Sequence, residues 1–317
     1  MAVRRRSIGR AISGAWVLAL AMAIPSSAQQ VHLLVITGLS GERQYAKAFG
    51  DVAAMLADSA RTRWGVADSS LIVLGEDPAL DARHVQAKST REEVGKAFLK
   101  LSRRVAPGDV LFVFLNGHGA GEGANSRVNL PGPDPTAADY AAWLSGFSKQ
   151  TVVFVNAASG SGDFVPVLAA KGRIIVTATR TAIERNAATF ARPFVYGLAS
   201  GEADADKDGR VSVFEAFDYA KKEVARAYEA NNRIQTEHAV LSDTAGARRV
   251  SFGPPRGVLD ARVTALVADR LVLESQVAAL RSRKAGMDST AYNTELERLL
   301  LLMAEKTQAI RAAEVKP

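Results

Sequence analysis

The chain of 317 residues contains no cysteine. No disulfide can staple it, so its stability must come from a packed core, which a chain of this length can build. Acidic residues are missing from everything that precedes Glu42. Long apolar runs are scarce too: the stretch from Ala11 to Ile24 falls short of the ~20 residues that cross a bilayer comfortably. Arg4, Arg5, Arg6 and Arg10 stand before that stretch and Ser26-Ser27-Ala28 after it. A basic head, a short apolar segment and a small-residue cleavage site predict a signal peptide over residues 1–28. An uncleaved membrane anchor is the alternative reading. Arg5-Arg6 fits a twin-arginine signal, and the apolar context fits general secretion equally well. Either way the chain is expected to be exported, to the periplasm or beyond, with no transmembrane span once the leader is cut.

The excess of positive charge is partly a property of that leader. The formal net charge is +7, and removing the four leader arginines leaves +3 on the mature chain. A balance so close to neutral gives no reason to expect a nucleic-acid partner. The α/β region shows no internal repeat or low-complexity stretch.

From Gln30 onward strand and helix patterns alternate. Val31 to Thr37 reads as a strand, and Tyr45 to Arg63 as a helix carrying Phe49, Val52, Met55 and Leu56 on its inner face. Ser70 to Leu74 is a short strand. Thr90 caps a further helix, with Glu93 at the capping-box position and Val94, Phe98 and Leu101 turned inward. Pro107-Gly108 turns the chain into a strand from Asp109. After the rigid loop Leu130 to Pro135 comes a helix over Ala137–Phe147, and Arg173 to Thr179 is another strand. The alternation predicts an α/β fold over residues 29–250, an open and mainly parallel sheet with helices on both faces.

Two strands differ from the rest in how they end. Val110-Leu111-Phe112-Val113-Phe114-Leu115 runs into Asn116-Gly117-His118-Gly119-Ala120-Gly121. Thr151-Val152-Val153-Phe154-Val155 runs into Asn156-Ala157-Ala158-Ser159-Gly160-Ser161-Gly162. Continuous apolar runs of this kind are buried on both faces of a parallel sheet, and glycine-rich turns let a backbone approach a ligand closely. Together they point to a site at the carboxyl edge of the sheet, open to a peptide or protein ligand.

From Val31 to Arg249 the chain resembles the caspase-like cysteine peptidases, the group that includes the legumains and the metacaspases. Gly117-His118-Gly119 matches their histidine turn, and Asn156-Ala157-Ala158-Ser159-Gly160-Ser161 matches their nucleophile turn. Gly117 stands where legumains carry an aspartate, which brings the turn closer to the metacaspase type. The resemblance implies that His118 and Gly119 hold the position of the catalytic base and its neighbouring amide, and that Ala157 holds the position of the nucleophile. A methyl group cannot replace a thiolate, and no cysteine lies elsewhere to substitute for it. The resemblance further implies that Ser159 and Gly160 belong to an anion-binding turn, although a serine there more naturally binds the turn backbone. Arg180 is expected to line the edge pocket. His32, His84 and His238 show no metal-ligand spacing and are expected to be surface or structural residues.

A second motif lies at Asp204-Ala205-Asp206-Lys207-Asp208-Gly209-Arg210-Val211-Ser212-Val213-Phe214-Glu215. Its acidic, glycine and glutamate positions are those of an EF-hand calcium loop. On that pattern Asp204, Asp206 and Asp208 converge on Ca2+, the Arg210 carbonyl and Ser212 add oxygens, and Glu215 closes the shell. A helix from Val213 to Ala230 follows, and a shorter one over Phe194–Ala199 precedes. An acidic turn that caps a helix without metal is the alternative.

Ser251 to Gly257 reads as a linker by its glycine and proline content. Beyond it, Leu259, Val263, Leu266, Leu273, Val277 and Leu280 keep an a/d spacing that Arg270 breaks. A second stripe runs through Tyr292, Leu296, Leu299, Met303 and Ile310, with Lys306 interrupting. The short connection predicts a helical hairpin or coiled-coil tail over 258–317. Leu300, Leu301 and Leu302 widen its apolar face, which calls for a further partner: the α/β domain, a second copy or another protein.

The functional expectation is an exported caspase-like pseudopeptidase, a calcium-stabilised binding or scaffold protein. Two alternatives stand beside it. One is an active peptidase with an unorthodox nucleophile such as Ser159, and the other is a different hydrolase using His118 as base.

Overall fold

The computed structural model describes residues 29–254 and 261–314. The expected leader, and Leu259 of the tail stripe, lie outside the described residues. In chain order the elements are β1 (Val31–Thr37), α1 (Arg43–Thr62), β2 (Leu71–Gly75), β3 (Ala87–Lys88), α2 (Arg91–Ser102) and β4 (Val110–Asn116). Then come β5 (Gly119–Ala120), β6 (Arg127–Val128), α3 (Ala137–Leu144), β7 (Thr151–Asn156), α4 (Phe164–Leu168), β8 (Arg173–Thr177) and α5 (Ala191–Ser200). The chain continues through α6 (Val213–Ala230), β9 (Val240–Leu241), α7 (Thr244–Arg249), α8 (Ala261–Ser282) and α9 (Ser289–Glu314).

Seven strands form one sheet in the order β3-β2-β1-β4-β7-β8-β9. All neighbours run parallel except β9, which pairs antiparallel with β8. The expected α/β architecture is therefore present, and the sheet is mixed at one edge. β9 and α7 were not read from the sequence, because two or six residues carry too little periodicity to register.

The central strands explain the layering. Along β4, Phe112 and Phe114 enter one core while Leu111, Val113 and Leu115 enter the other. Along β7, Val153 and Val155 face the first core, and Val152 and Phe154 the second. This is the two-residue alternation of a strand with no polar face. Helices α1, α5 and α6 cover the first core, and α2, α3 and α4 the second. Each fully buried Leu, Val or Phe contributes about 1.5–3 kcal/mol, so these strands fix the frame on which the turns are hung.

Helix ends follow local chemistry. Thr90 Oγ1 accepts from Glu93 N at 3.3 Å, but the expected reciprocal bond is not made, since the Glu93 carboxylate takes Lys96 instead. The full capping boxes sit at Thr136–Asp139 and Ser212–Glu215. Helix α3 stops at Leu144 rather than Phe147. Helix α5 is longer than expected and ends on Gly201 in the left-handed region, so the acidic loop is flanked by a helix on each side.

The expected linker needs a correction at its start. Phe252 is buried and stacks on Phe112, with centroids 4.8 Å apart and planes 3° apart, while Trp64 covers its other neighbour position at 5.1 Å. Ser251 bridges to Ser212. Glycine and proline around Phe252 disguised a core residue, and the α/β domain runs at least to Pro254.

The tail is a helix pair: Leu273, Val277 and Leu280 of α8 pack with Tyr292, Leu296, Leu299 and Met303 of α9. Leu300 and Leu301 stay exposed. Lys306, an interruption in the stripe, pairs with Asp269 at 2.6 Å. Among the described residues no helix is long and apolar enough to cross a membrane.

Removing a stacked core ring should be felt strongly. Phe252→Ala is expected to destabilise the chain by about 3–5 kcal/mol, and Leu301→Ala by less than about 0.5 kcal/mol, read as shifts in urea midpoint. Equal, small effects would return Phe252 to a linker.

Candidate functional site

The two site strands lie side by side, with Leu115 of β4 opposite Asn156 of β7, so their turns emerge together at the carboxyl edge. His118 follows β4 directly. Its ring sits edge-on against Tyr45 and Phe49 of α1, with centroids 4.7 and 5.3 Å away. Among the described residues no side chain hydrogen-bonds to the imidazole. Gly119 then enters the small β5–β6 hairpin, and here a side chain is forbidden by space. A Cβ on Gly119 would lie 2.2 Å from the Ser159 carbonyl oxygen.

The nucleophile turn is closed on itself. Ala157 continues the strand's alternation, 1 % exposed within the core beneath α1, α5 and α6, and its N–H donates to Leu115 O at 2.8 Å. Ala158 N donates to Asn156 Oδ1, and Gly160 N to Glu184 O. Ser161 N and Gly162 N both donate to Thr179 Oγ1. Ser159 is 2 % exposed, and its Oγ accepts the Gly119 N–H at 3.2 Å. The serine thus binds turn backbone as expected.

Arg180 is exposed at the end of β8, and its N–H donates to Glu184 Oε2. Glu184 also accepts from His238 N at 3.1 Å and meets His238 Nδ1 at 2.9 Å. Glu184, which the sequence did not single out, ties the turn after β7 to the segment before β9: its carbonyl accepts from Gly160 N and its carboxylate binds His238. His32 is buried against Asp109, and His84 is buried between Asp81 and Asp58. Both are structural. Beside His118, across Phe49, a cleft of about 380 Å³ opens at the ends of β1 and β2. Thr37, Ser40, Phe49, Glu76 and Leu80 are among its walls.

The acidic loop is the second place where polar groups converge. Carboxylate oxygens of Asp204, Asp206 and Asp208 lie within 4.8 Å of one another, a group that could hold a metal ion. Gly209, at φ 78°, supplies the left-handed turn that a Cβ would strain. Its N–H donates to Asp204 Oδ2 at 3.0 Å, while Asp204 Oδ1 is buried without a hydrogen-bond partner. Asp208 Oδ1 accepts from Arg210 N. The other two expected side-chain ligands are drawn elsewhere. Glu215 accepts from Ala205 N and Asp206 N through Oε1, and from the amide and hydroxyl of Ser212 through Oε2. It serves here as the cap of α6.

Sequence reasoning missed the cation at this loop. Arg270 of α8 is 5 % exposed, and its Nη2 reaches Asp206 Oδ2 at 2.5 Å and Asp208 Oδ2 at 3.8 Å. Its only advance signal was the break it makes in the apolar spacing. Through this pair and the contact of α7 with α8, the tail packs against the α/β domain.

Even so, the carboxylates remain crowded. Burial and the neighbouring Asp206 push Asp208 up to about 7. The same two causes raise Asp204 and Glu215 above the ordinary carboxylate range.

No family model matches this sequence, and no curated protein matches it.

The raised carboxylates carry a definite sign. Between the ordinary aspartate value of about 4 and about 7, the folded chain holds more protons than the unfolded one, so stability falls as pH rises. In chelator, the wild-type urea midpoint should drop relative to that of Asp208→Asn between pH 4 and pH 7, then run level. A midpoint that rises relative to the variant over this window would contradict the assignment.

Proposed function

We propose that the chain is an exported, non-cleaving relative of the caspase-like peptidases, a binding or scaffold protein stabilised by calcium at the acidic loop. The observation that carries this reading is the closed nucleophile turn. Ala157 is buried in the core, and the amide of Gly119 is bonded to Ser159 Oγ. Oxyanion stabilisation needs free donors aimed at the developing charge, and these donors have protein partners. The resemblance of the two turns to those of caspase-like peptidases supports descent from such a site. Against peptide cleavage through Ser159 stands its buried hydroxyl, to which no base hydrogen-bonds among the described residues.

The binding role falls to the cleft beside His118, where Phe49 and Leu80 offer apolar surface and Ser40, Glu76 and Asp77 offer polar contacts. Such a mixture suits an extended peptide or a loop of another protein.

The loop residues fit a hard cation. The donor set is oxygen throughout, Asp204 Oδ1 is left without a partner, and the Gly209 turn is formed. Asp204, Asp206 and Asp208 would hold the ion, joined by the Arg210 carbonyl and Ser212, and by Glu215 once it leaves its cap. The bound ion would supply charge neutralisation between α5 and α6.

Two measurements test these statements. Incubated with a broad peptide library, the mature protein should release no fragments, and Ala157→Cys should stay slow toward thiol reagents because its position is buried. Cleavage by the unmodified chain that Ser159→Ala abolishes would overturn the non-cleaving reading. Calcium at a hundredfold excess over its dissociation constant should add about 2.7 kcal/mol, raising the melting temperature above that in chelator, with magnesium weaker. Asp204→Asn should remove the difference, whereas Glu215→Ala should lower the melting temperature in both conditions by removing the cap. A metal-free wild-type preparation that melts identically in calcium and in chelator would leave only an acidic turn.

A further inference from the structure

Arg270 is the residue that breaks the apolar spacing of α8, and a buried arginine at such a place needs a reason. Its guanidinium is almost fully enclosed. Nη2 is held by Asp206 of the loop, while Asp208 Oδ2 at 3.8 Å and Glu274 Oε1, 3.7 Å from Nε, are near enough for charge attraction and too far for a hydrogen bond. The cavity between the loop, α7 and α8, about 230 Å³, is also lined by Arg210, Arg248 and Arg249. Positive groups therefore surround the acidic cluster, and one of them has been inserted into it.

We propose that Arg270 serves as an internal cation of the loop, and that calcium and the docked α8 helix compete for Asp206 and Asp208, so that calcium binding releases the α8–α9 hairpin. The inference rests on the calcium reading of the loop. Asp206 Oδ2 is committed to Arg270, while Oδ1 accepts from Asp208 N. An ion gathered by Asp204, Asp206 and Asp208 takes the oxygens that neutralise the guanidinium. It also places a double positive charge next to a buried single one. Glu274 alone then remains close to Arg270, and a buried charge stripped of its partner is strongly destabilising. The helix relieves this by leaving. Linkage makes the effect reciprocal: whatever factor calcium imposes on docking, docking imposes on calcium affinity.

The cysteine-free chain permits a direct test, because two introduced cysteines can be labelled without background. Lys222→Cys on α6 and Glu297→Cys on α9 place spin labels on exposed positions of the domain and the hairpin. In chelator the full-length chain should give one narrow distance, and calcium should lengthen or broaden it. Arg270→Gln should show the broad distribution without calcium and bind calcium about tenfold more tightly by calorimetry, within the usual range of coupling between sites. Arg270→Lys, which keeps the charge, should stay docked. Calcium binding to Arg270→Gln alone would overturn the release, because the ion would then never open the wild-type loop. Equal calcium affinities with an unchanged distance would overturn the release mechanism and leave the calcium site standing. No binding heat in either chain would remove both. Should Arg270→Gln fail to fold, the distance in the wild-type chain with and without calcium decides the question.

Discussion

Double-sided burial of β4 and β7 governs everything else in this molecule. Strands with apolar residues on both faces leave polar chemistry only at their ends, and the strand ends carry a row of polar residues: Thr37, Asn116, Asn156 and Thr177, all buried. The turns beyond them meet so closely that the Gly119 and Ser159 backbones leave no room for a Cβ. Where a catalytic cleft would keep amides free, this edge pairs them. Ala157 N, Gly119 N and Gly160 N each have a protein acceptor. An unpaired buried amide costs about 1–3 kcal/mol, so these bonds make the two turns a joint between strands. What remains open lies one helix turn away, in the cleft lined by Phe49.

The acidic loop obeys a different constraint. Two charged carboxylates within 4.8 Å of each other repel by at least about 3 kcal/mol at an effective dielectric of 20, several times what an exposed ion pair contributes. The chain can answer this in three ways, and two are visible. Asp208 holds its proton to about pH 7, and Arg270 supplies a buried guanidinium. The third answer is an external cation. Protonation, arginine and metal act on the same oxygens, so each weakens the hold of the others. The arginine answer also has a mechanical consequence, because it comes from α8 and ties the tail to the domain.

Much of the frame was legible in the residues. Val110 to Leu115 and Val152 to Val155 announced buried strands because a parallel interior tolerates nothing else, and α6 began at Val213 where the loop and cap pattern put it. The approach of the two turns was legible as well, since glycine-rich ends on adjacent strands have few other uses. Phe252 was hidden, because local glycine and proline describe backbone habit and say nothing of which ring fills a gap beside Phe112. Glu184 was hidden for a similar reason: its bonds to Gly160 and His238 join segments far apart in sequence. Arg270 was seen only as a defect in a stripe. Periodicity records that a residue departs from its helix's pattern, and only the fold supplies the partner that explains it.

Ser212 to Glu215 carries the deepest ambiguity, because two motifs share its residues. A capping box needs serine, then glutamate three positions later, and an EF-hand loop needs an oxygen at its ninth position and glutamate at its twelfth. The cap is made: Glu215 accepts four hydrogen bonds, from Ala205 N, Asp206 N, Ser212 N and Ser212 Oγ. Bonds to a charged acceptor contribute about 1.5–3 kcal/mol each, so on the calcium reading the ion must outbid a well-satisfied carboxylate as well as displace Arg270. The loop is then closed from both sides, by a cap on α6 and by an arginine from α8. A cation that opened it would change both helices together, and through that shared dependence a twelve-residue loop would act on the whole tail.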